Sequence, residues 1–261
     1  MELSIRLKTI ADMVTEGRIA DVGCDHGFVS IYLCKCKNAS KVYAMDVRPG
    51  PLKSARKNIA AYQCSDYIET RLSDGLTALM PGEADALVCA GMGGSLMVKI
   101  LSDGYDKILT MKELILQPQS ELRFFREYLR THGIKIVQEN MVKEEGKFYP
   151  IIKAVPSQNK DLLYDVFEGA GFFKEAEQRI SDSFGPLLLR ERNPVLLDYL
   201  EYLWERNKNI LTKLNNQKLQ MKHRESSQEA YNRICTRHLE LVLENEDIEK
   251  CLAFYEEGAA L

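Results

Sequence analysis

The residues best able to do chemistry follow a short apolar run near the N-terminus, in 20-ADVGCDHGFVSIYL-33. Gly23 and Gly27 stand where a strand would turn into a helix, and glycine lets the backbone approach a ligand closely there. Asp25 occupies the place of the second glycine in a nicotinamide-binding G-x-G-x-x-G turn. A carboxylate there would repel a pyrophosphate and suits a cationic ligand such as a sulfonium. The turn therefore favours S-adenosylmethionine over a nicotinamide dinucleotide.

Two aspartates follow the next two predicted strands. Asp46 lies 23 residues after Gly23, where an acidic residue accepts hydrogen bonds from ribose hydroxyls. It also precedes a helix, so helix capping is the alternative. Asp74 stands in the turn 72-LSDG-75, where its carboxylate can accept a hydrogen bond from an adenine amino group. A Ser-Asp-Gly turn alone has low specificity, and its place after the third strand strengthens this interpretation.

The fourth predicted strand ends in 90-AGMGG-94. Three glycines in four residues exceed what a turn requires, which predicts that something packs against the backbone here. Methyltransferases that act on exocyclic amino groups usually carry an Asn/Asp-Pro-Pro-Tyr/Phe clamp at this point. The clamp is absent from this chain, which argues against an exocyclic amino nitrogen as acceptor.

These turns need a sheet to bring them together, and the sequence predicts one. Helical patterns separate the first five β-rich runs and precede the sixth, as in a mostly parallel sheet with helices on both faces. Only the turn EEGK separates the last two runs, which predicts an antiparallel hairpin at one edge. The predicted fold class is α/β, a Rossmann-like class I methyltransferase fold with seven strands. The runs are 18–23, 41–47, 67–74, 84–91, 113–118, 134–142 and 147–155.

The pattern changes after residue 155, so we predict a methyltransferase domain over 1–155 and a helical domain over 156–261. Residues 161–173 predict a short helix, and 183–194 a loop-rich junction. Two heptad series then run from Leu196 to Met221 and from Tyr231 to Tyr255. Ser226 and Glu229 between them fit a helix-capping pair. The pattern favours an antiparallel coiled-coil hairpin over one long helix that dimerises.

Composition limits the class of protein. A net charge of −3 over 261 residues argues against binding nucleic acid by bulk charge, although a local basic face is compatible with it. No apolar run approaches the roughly 18 residues of a membrane span, and the N-terminus predicts an amphipathic helix, so we expect a cytoplasmic protein without a membrane partner. The seven cysteines form no C-x-x-C pair, and the four histidines are scattered, so we expect no metal. No obligatory protein partner is evident.

Taken together, DVGCDHG, MDVRPGPL, RLSDGL, AGMGG and LILQPQ resemble the bacterial tRNA (adenine(22)-N1)-methyltransferase, TrmK-like, family. The junction FGPLLLRERNP and the helical C-terminus extend the resemblance over the whole chain. It implies S-adenosylmethionine as methyl donor, S-adenosylhomocysteine as product and tRNA as partner. The donor site that it implies comprises Asp21, Gly23, Asp25, His26, Gly27, Asp46, Val47, Ser73, Asp74 and Gly75. The residues expected to border the reacting centre are Gly91, Met92, Gly93, Gly94, Gln117 and Pro118.

Within that site, Asp25 and His26 are the candidates for orienting the methionine end of the donor, and Gly91 and Met92 are the other candidate catalytic residues. Tyr149 is a candidate for stacking on an extruded base, with a core position as the alternative. For RNA binding outside the pocket, the candidates are Lys218, Lys222 and Arg224. The alternative role for the cations of this helix is ion pairing between the two helices. The competing functions are a small-molecule methyltransferase, a nicotinamide oxidoreductase and a non-enzymatic interaction protein.

Overall fold

A computed structural model describes residues 2–37, 39–157, 174–221 and 228–259. Its strands follow the predicted runs, which are bounded by glycine or polar turns, and most of these strands are largely buried. In chain order they are β1 (Arg18–Val22), β2 (Lys41–Asp46), β3 (Ile68–Leu72), β4 (Ala86–Met92), β5 (Glu113–Pro118), β6 (Ile134–Glu144) and β7 (Lys147–Pro156).

The seven strands form one sheet in the order β3-β2-β1-β4-β5-β7-β6. All pairs among β1 to β5 are parallel, whereas β7 pairs antiparallel with both β5 and β6. The predicted mostly parallel sheet with a hairpin at one edge is therefore confirmed. Because parallel strands end at the same edge, the turns after β1 to β5 meet there, together with the beginning of β7.

Helices cover both faces of the sheet. On one face lie α1 (Ile5–Asp12), α2 (Phe28–Cys36) and α3 (Pro49–Ala61); on the other lie α4 (Gly94–Asp103), α5 (Tyr105–Ile108) and α6 (Leu122–Thr131). Successive strand residues serve opposite faces, so Ile19 packs with the first group and Ala20 with the second. In the part of the chain that the structure describes, no helix is long and apolar enough to cross a membrane.

The C-terminal part contains α7 (Lys174–Phe184), α8 (Pro186–Arg190), α9 (Pro194–Met221) and α10 (Gln228–Ala259). The expectation of a loop-rich junction was wrong for α8, where buried leucines form a short helix on the apolar core of this region. Trp204 bonds to Glu249 and Arg206 pairs with Glu244, so α9 and α10 run antiparallel. Their coiled-coil form stays a prediction. The predicted cap residue Ser226 and the predicted helix 161–173 lie outside the described residues.

A buried ion pair joins the sheet to these helices. Arg126 of α6 donates from Nε to Glu139 of β6 over 2.9 Å, and both side chains are at most 1% exposed. Arg126 also donates to the carbonyl oxygens of Asp182 and Ser183, while Glu139 accepts from the backbone N–H of Leu187. The end of α7 and the beginning of α8 are thereby fixed against the sheet.

Candidate active site

A cavity of about 590 Å³ opens at the sheet edge where β1 to β4 end. Most of the residues predicted for the donor site and the reacting centre line it. They are Asp21, Gly23, Asp25, His26, Asp46, Val47, Ser73, Asp74, Gly75, Gly91 and Met92. The topology therefore brings together turns that are up to about seventy residues apart in the sequence.

The turn after β1 has an unusual backbone. Gly23 has φ +75° and Asp25 has φ +49°, so both lie in the left-handed region. Aspartate tolerates this region better than most residues, which lets it replace the glycine of a dinucleotide-binding turn. The side chains of Asp25 and His26 are 63% and 54% exposed, and Nε2 of His26 lies 3.6 Å from Oδ2 of Asp25. Both are open to a ligand.

Asp21 is a buried carboxyl group of the cavity, at 4% exposure. The Ser30 hydroxyl donates to its Oδ2 over 2.5 Å. Burial raises the pKa of Asp21 to about 6, because desolvation outweighs this hydrogen bond. Burial also raises the pKa of the neighbouring Cys24 thiol, which therefore stays protonated at neutral pH.

Asp46 and the turn after β3 form the opposite side of the cavity. Asp46 is 6% exposed and accepts from the backbone N–H of Arg48 over 2.9 Å, so it orders the chain before α3 and also faces the cavity. The Ser73 hydroxyl donates to the carbonyl oxygen of Gly75 and accepts from the N–H of Ala78. Ser73 thus holds the turn that presents the exposed carboxylate of Asp74.

The glycines after β4 serve two different purposes. Gly91 has φ +79° and lines the cavity. At Gly94, a side chain would come within 2.7 Å of the carbonyl oxygen of Ser120, and at Gly93 within 3.0 Å of its hydroxyl. The predicted close packing against this backbone is therefore present. At Gly93 and Gly94 the group that packs is the loop after β5.

Five residues predicted for the site do not line the cavity: Gly27, Gly93, Gly94, Gln117 and Pro118. Gly27 precedes α2 with φ +74°, and a side chain there would contact Ala55 of α3 at 3.2 Å. Gln117 is fully buried and lies one side chain behind the cavity wall, since it accepts a hydrogen bond from Arg6. Their roles toward a ligand stay predictions.

The predicted RNA-binding residues fall in two places. Tyr149 is half-buried in β7, and the guanidinium of Arg6 covers one face of its ring at 5.0 Å from the centroid. Lys218 lies in the last turn of α9. Lys222 and Arg224 lie outside the described residues.

Sequence reasoning missed several residues of the cavity wall: Arg6, Leu7, Cys24, Phe28, Val29, Arg48, Leu96, Ile100 and Gln119. Arg6 matters most, because it brings a positive charge from α1 to the end of β4. The available signal was an arginine between the apolar residues Ile5 and Leu7, which the amphipathic pattern alone assigns to a solvated face.

The cavity suits a donor that is cationic at one end. Its volume lies in the range of about 300–1,000 Å³ that holds ligands of this size. Asp21, Asp25, Asp46 and Asp74 all line it, which disfavours a pyrophosphate and favours a sulfonium and an ammonium group. Among the described residues, no group of three or more His, Cys, Asp or Glu side chains is placed to hold a metal ion.

Comparisons with known proteins agree with this geometry. Residues 3–152 match the model of a family described as a methyltransferase domain. The chain is 34% identical over 198 residues to the tRNA (adenine(22)-N(1))-methyltransferase of Bacillus subtilis (strain 168), and the match covers 76% of this chain and 79% of that protein.

Solved structures extend the likeness to nearly the full length. The crystal structure of the B. subtilis m1A22 tRNA methyltransferase TrmK superposes with a TM-score of 0.77 at 28% identity, over 96% of this chain and 99% of that one. Streptococcus pneumoniae Sp1610, solved in complex with S-adenosyl-L-methionine, gives 0.76 at 28% identity, over 96% and 100%. The chain therefore belongs to the tRNA (adenine(22)-N1)-methyltransferase family.

Proposed function

We propose that this protein transfers a methyl group from S-adenosylmethionine to N1 of the adenine at position 22 of a tRNA. One observation supports this most strongly: a cavity with four aspartates, at the shared end of β1 to β4, in a chain whose B. subtilis relative is named for that reaction. An alternative with the same donor site is methylation of another RNA or of a small molecule.

The cavity residues divide the binding of the donor between them. Asp46 accepts from the ribose hydroxyls and Asp74 from the adenine amino group, while Asp21 and Asp25 face the cationic end. When bound, S-adenosylmethionine supplies a methyl group on a cationic sulfur, and S-adenosylhomocysteine is the product. His26, beside Asp25, orients the methionine end.

On the acceptor side, this chain chiefly positions the base. N1 of adenine carries an in-plane lone pair and is unprotonated at neutral pH, so no general base is needed before transfer. Because N1 lies on the Watson–Crick edge, the base must be unpaired or extruded. Backbone carbonyls at Gly91 and Met92 can stabilise the cationic product ring. Alignment in a dry pocket can supply about 7–11 kcal/mol of the barrier.

The tRNA body would contact the C-terminal helices. Lys218, Lys222 and Arg224 lie at the end of α9 or just beyond it, far along the chain from the buried base of the helix at Leu196 and Leu200. Cations there can bind phosphates with little base specificity. Because tRNA is the substrate, a cytoplasmic location belongs to the same proposal, as does function without an obligatory protein partner.

The experiment is transfer of tritiated methyl from S-adenosylmethionine to a tRNA transcript with adenine at position 22. A matched transcript with guanine at that position serves as control. We expect label in the first transcript and none in the second. Equal label in both would refute the assigned position and keep the donor. Absence of label in both, together with no shift of the melting temperature by the donor, would refute the donor as well.

A further inference from the structure

The guanidinium of Arg6 is held in a fixed place beside the cavity. Its Nη1 donates to Oε1 of Gln117 over 2.9 Å. Gln117 is fully buried, and its Nε2 donates to the carbonyl oxygen of Pro118, which leaves the amide oxygen directed toward Arg6. The ring of Tyr149 lies 5.0 Å from the guanidinium carbon. A half-buried arginine between these two partners has little rotamer freedom left to lose on binding a ligand.

This guanidinium has donors to spare and a charge that is not neutralised. Arginine carries five N–H donors, and within the described residues the guanidinium makes one hydrogen bond, to Gln117, and no ion pair. Glu144 contacts only the backbone N–H of Arg6, at 3.4 Å. The other arginine on the cavity wall, Arg48, is less fixed and is paired with a carboxylate, because its side chain is 72% exposed and its Nε lies 3.8 Å from Oδ1 of Asp46.

The charges of the cavity favour a cation beside one group of the donor. S-adenosylmethionine carries a sulfonium, an ammonium and a carboxylate. The aspartates of the wall stabilise the two cationic groups and repel the carboxylate. A guanidinium is the side chain that pairs with a carboxylate through two parallel hydrogen bonds. A Cβ atom added at Gly91 would lie 3.7 Å from Nη1 of Arg6. The positive charge of Arg6 is therefore located at the end of β4.

We propose that Arg6 binds the α-carboxylate of the methyl donor, and that Gln117 and Tyr149 are positioning residues that hold its guanidinium in place. This rests on the donor named in the proposed function and not on the tRNA. A phosphate of the tRNA backbone is the rival partner for the same cation. We favour the carboxylate because Arg6 lines the same cavity as the buried Asp21 and donates a hydrogen bond to the fully buried Gln117.

The test compares two ligands that differ only in the carboxylate: S-adenosylhomocysteine and decarboxylated S-adenosylhomocysteine. Isothermal calorimetry without tRNA gives Kd for both ligands on the wild type, Arg6→Gln and Arg48→Gln. We expect the wild type to prefer the carboxylated ligand by about 10- to 100-fold, the range for a hydrogen-bonded charge. Arg6→Gln should bind the two ligands about equally. Arg48→Gln should keep most of the preference, and Arg6→Lys should keep part of it.

The ratio of the two Kd values distinguishes a loss of carboxylate binding from a general loss of folding stability in the variants. Arg6→Gln leaves the buried amide oxygen of Gln117 with one donor fewer, and any general loss of stability acts on both ligands alike. Thermal melts of the apo variants report that loss separately. A wild type without a preference would overturn the proposal, and so would an Arg6→Gln variant that keeps it or an Arg48→Gln variant that abolishes it.

A kinetic arm distinguishes the rival partner. If Arg6→Gln raises KM for tRNA at saturating donor and leaves the ligand ratio unchanged, Arg6 binds a tRNA phosphate and the proposal is wrong. A chain that methylates another acceptor would still show the expected ligand ratio, so the proposed substrate can fail without the inference failing. A wild type that binds neither ligand would overturn the donor, and with it the inference.

Discussion

Replacing Arg126 by methionine should cost much of the stability of the protein. The substitution leaves the carboxylate of Glu139 buried, at 0% side-chain exposure, without the guanidinium that lies 2.9 Å away. It also removes the donors to the carbonyl oxygens of Asp182 and Ser183 at the end of α7. Breaking a buried pair by removing one partner costs about 3–5 kcal/mol. The melting temperature should fall by roughly 6–20 °C, at about 2–4 °C per kcal/mol.

A matched control joins the same two parts of the chain. Lys143 of β6 pairs with Asp198 of α9 over 2.9 Å, with both side chains nearly half exposed. Exposed pairs contribute about 0.2–1 kcal/mol, so Lys143→Met should unfold close to the wild type. Urea denaturation of both variants, followed by circular dichroism, measures the difference. If Arg126→Met lies within about 1 kcal/mol of Lys143→Met, the buried pair does not hold the C-terminal helices to the sheet as described.

Three further outcomes test the site. Asp46→Asn keeps an acceptor for the backbone N–H of Arg48 and loses the negative charge. Calorimetry should therefore show that S-adenosylhomocysteine binds about 10- to 100-fold more weakly. The control Asp66→Asn, at an exposed position, should bind this ligand as the wild type does. Gly94→Ala should lose about 1–3 kcal/mol in denaturant melts because its methyl group would lie 2.7 Å from a carbonyl oxygen; Gly50→Ala, in open space within α3, should not. Burial raises the pKa of Asp21 from 3.8 to about 6. The protonated carboxyl therefore stabilises the folded protein fully below about pH 4, and this contribution is lost as pH rises through about 6. Asp21→Asn should remove that part of the pH dependence of the apo melting temperature, and an unchanged pH profile would contradict the raised pKa.

The sequence predicted those parts of the fold that depend on local pattern. The strands β1, β2, β4 and β5 are largely buried runs, each with its own turn, and the short EEGK turn marks the antiparallel hairpin of β6 and β7. Asp25 was recognisable because it stands where a nicotinamide-binding turn has a glycine, and the structure gives it a left-handed φ. An unusual residue type at a position where the backbone is restricted can be recognised from the sequence alone.

Contacts that arise only from tertiary packing could not be predicted in this way. Arg6 reaches Gln117 and Tyr149 from a helix that is more than a hundred residues away in the sequence, and nothing in its neighbourhood indicates a partner. The glycines at 93 and 94 look like ligand-binding residues, yet they make room for the loop after β5. The helix α8 was missed because Gly185, Pro186 and Pro194 indicate a loop, whereas burial of its leucines stabilises a helix that begins at Pro186.

The most direct measurement identifies the methylated atom. A tRNA transcript methylated by the protein would be digested to nucleosides at neutral pH, which avoids rearrangement of N1-methyladenosine to the N6 isomer, and separated by liquid chromatography with mass detection. A primer-extension stop next to position 22 would locate the modification on the intact transcript, because an N1-methyl group blocks Watson–Crick pairing. We predict N1-methyladenosine and a stop at that position. N6-methyladenosine, or a methylated transcript without the stop, would contradict the account of an acceptor that attacks through its ring nitrogen.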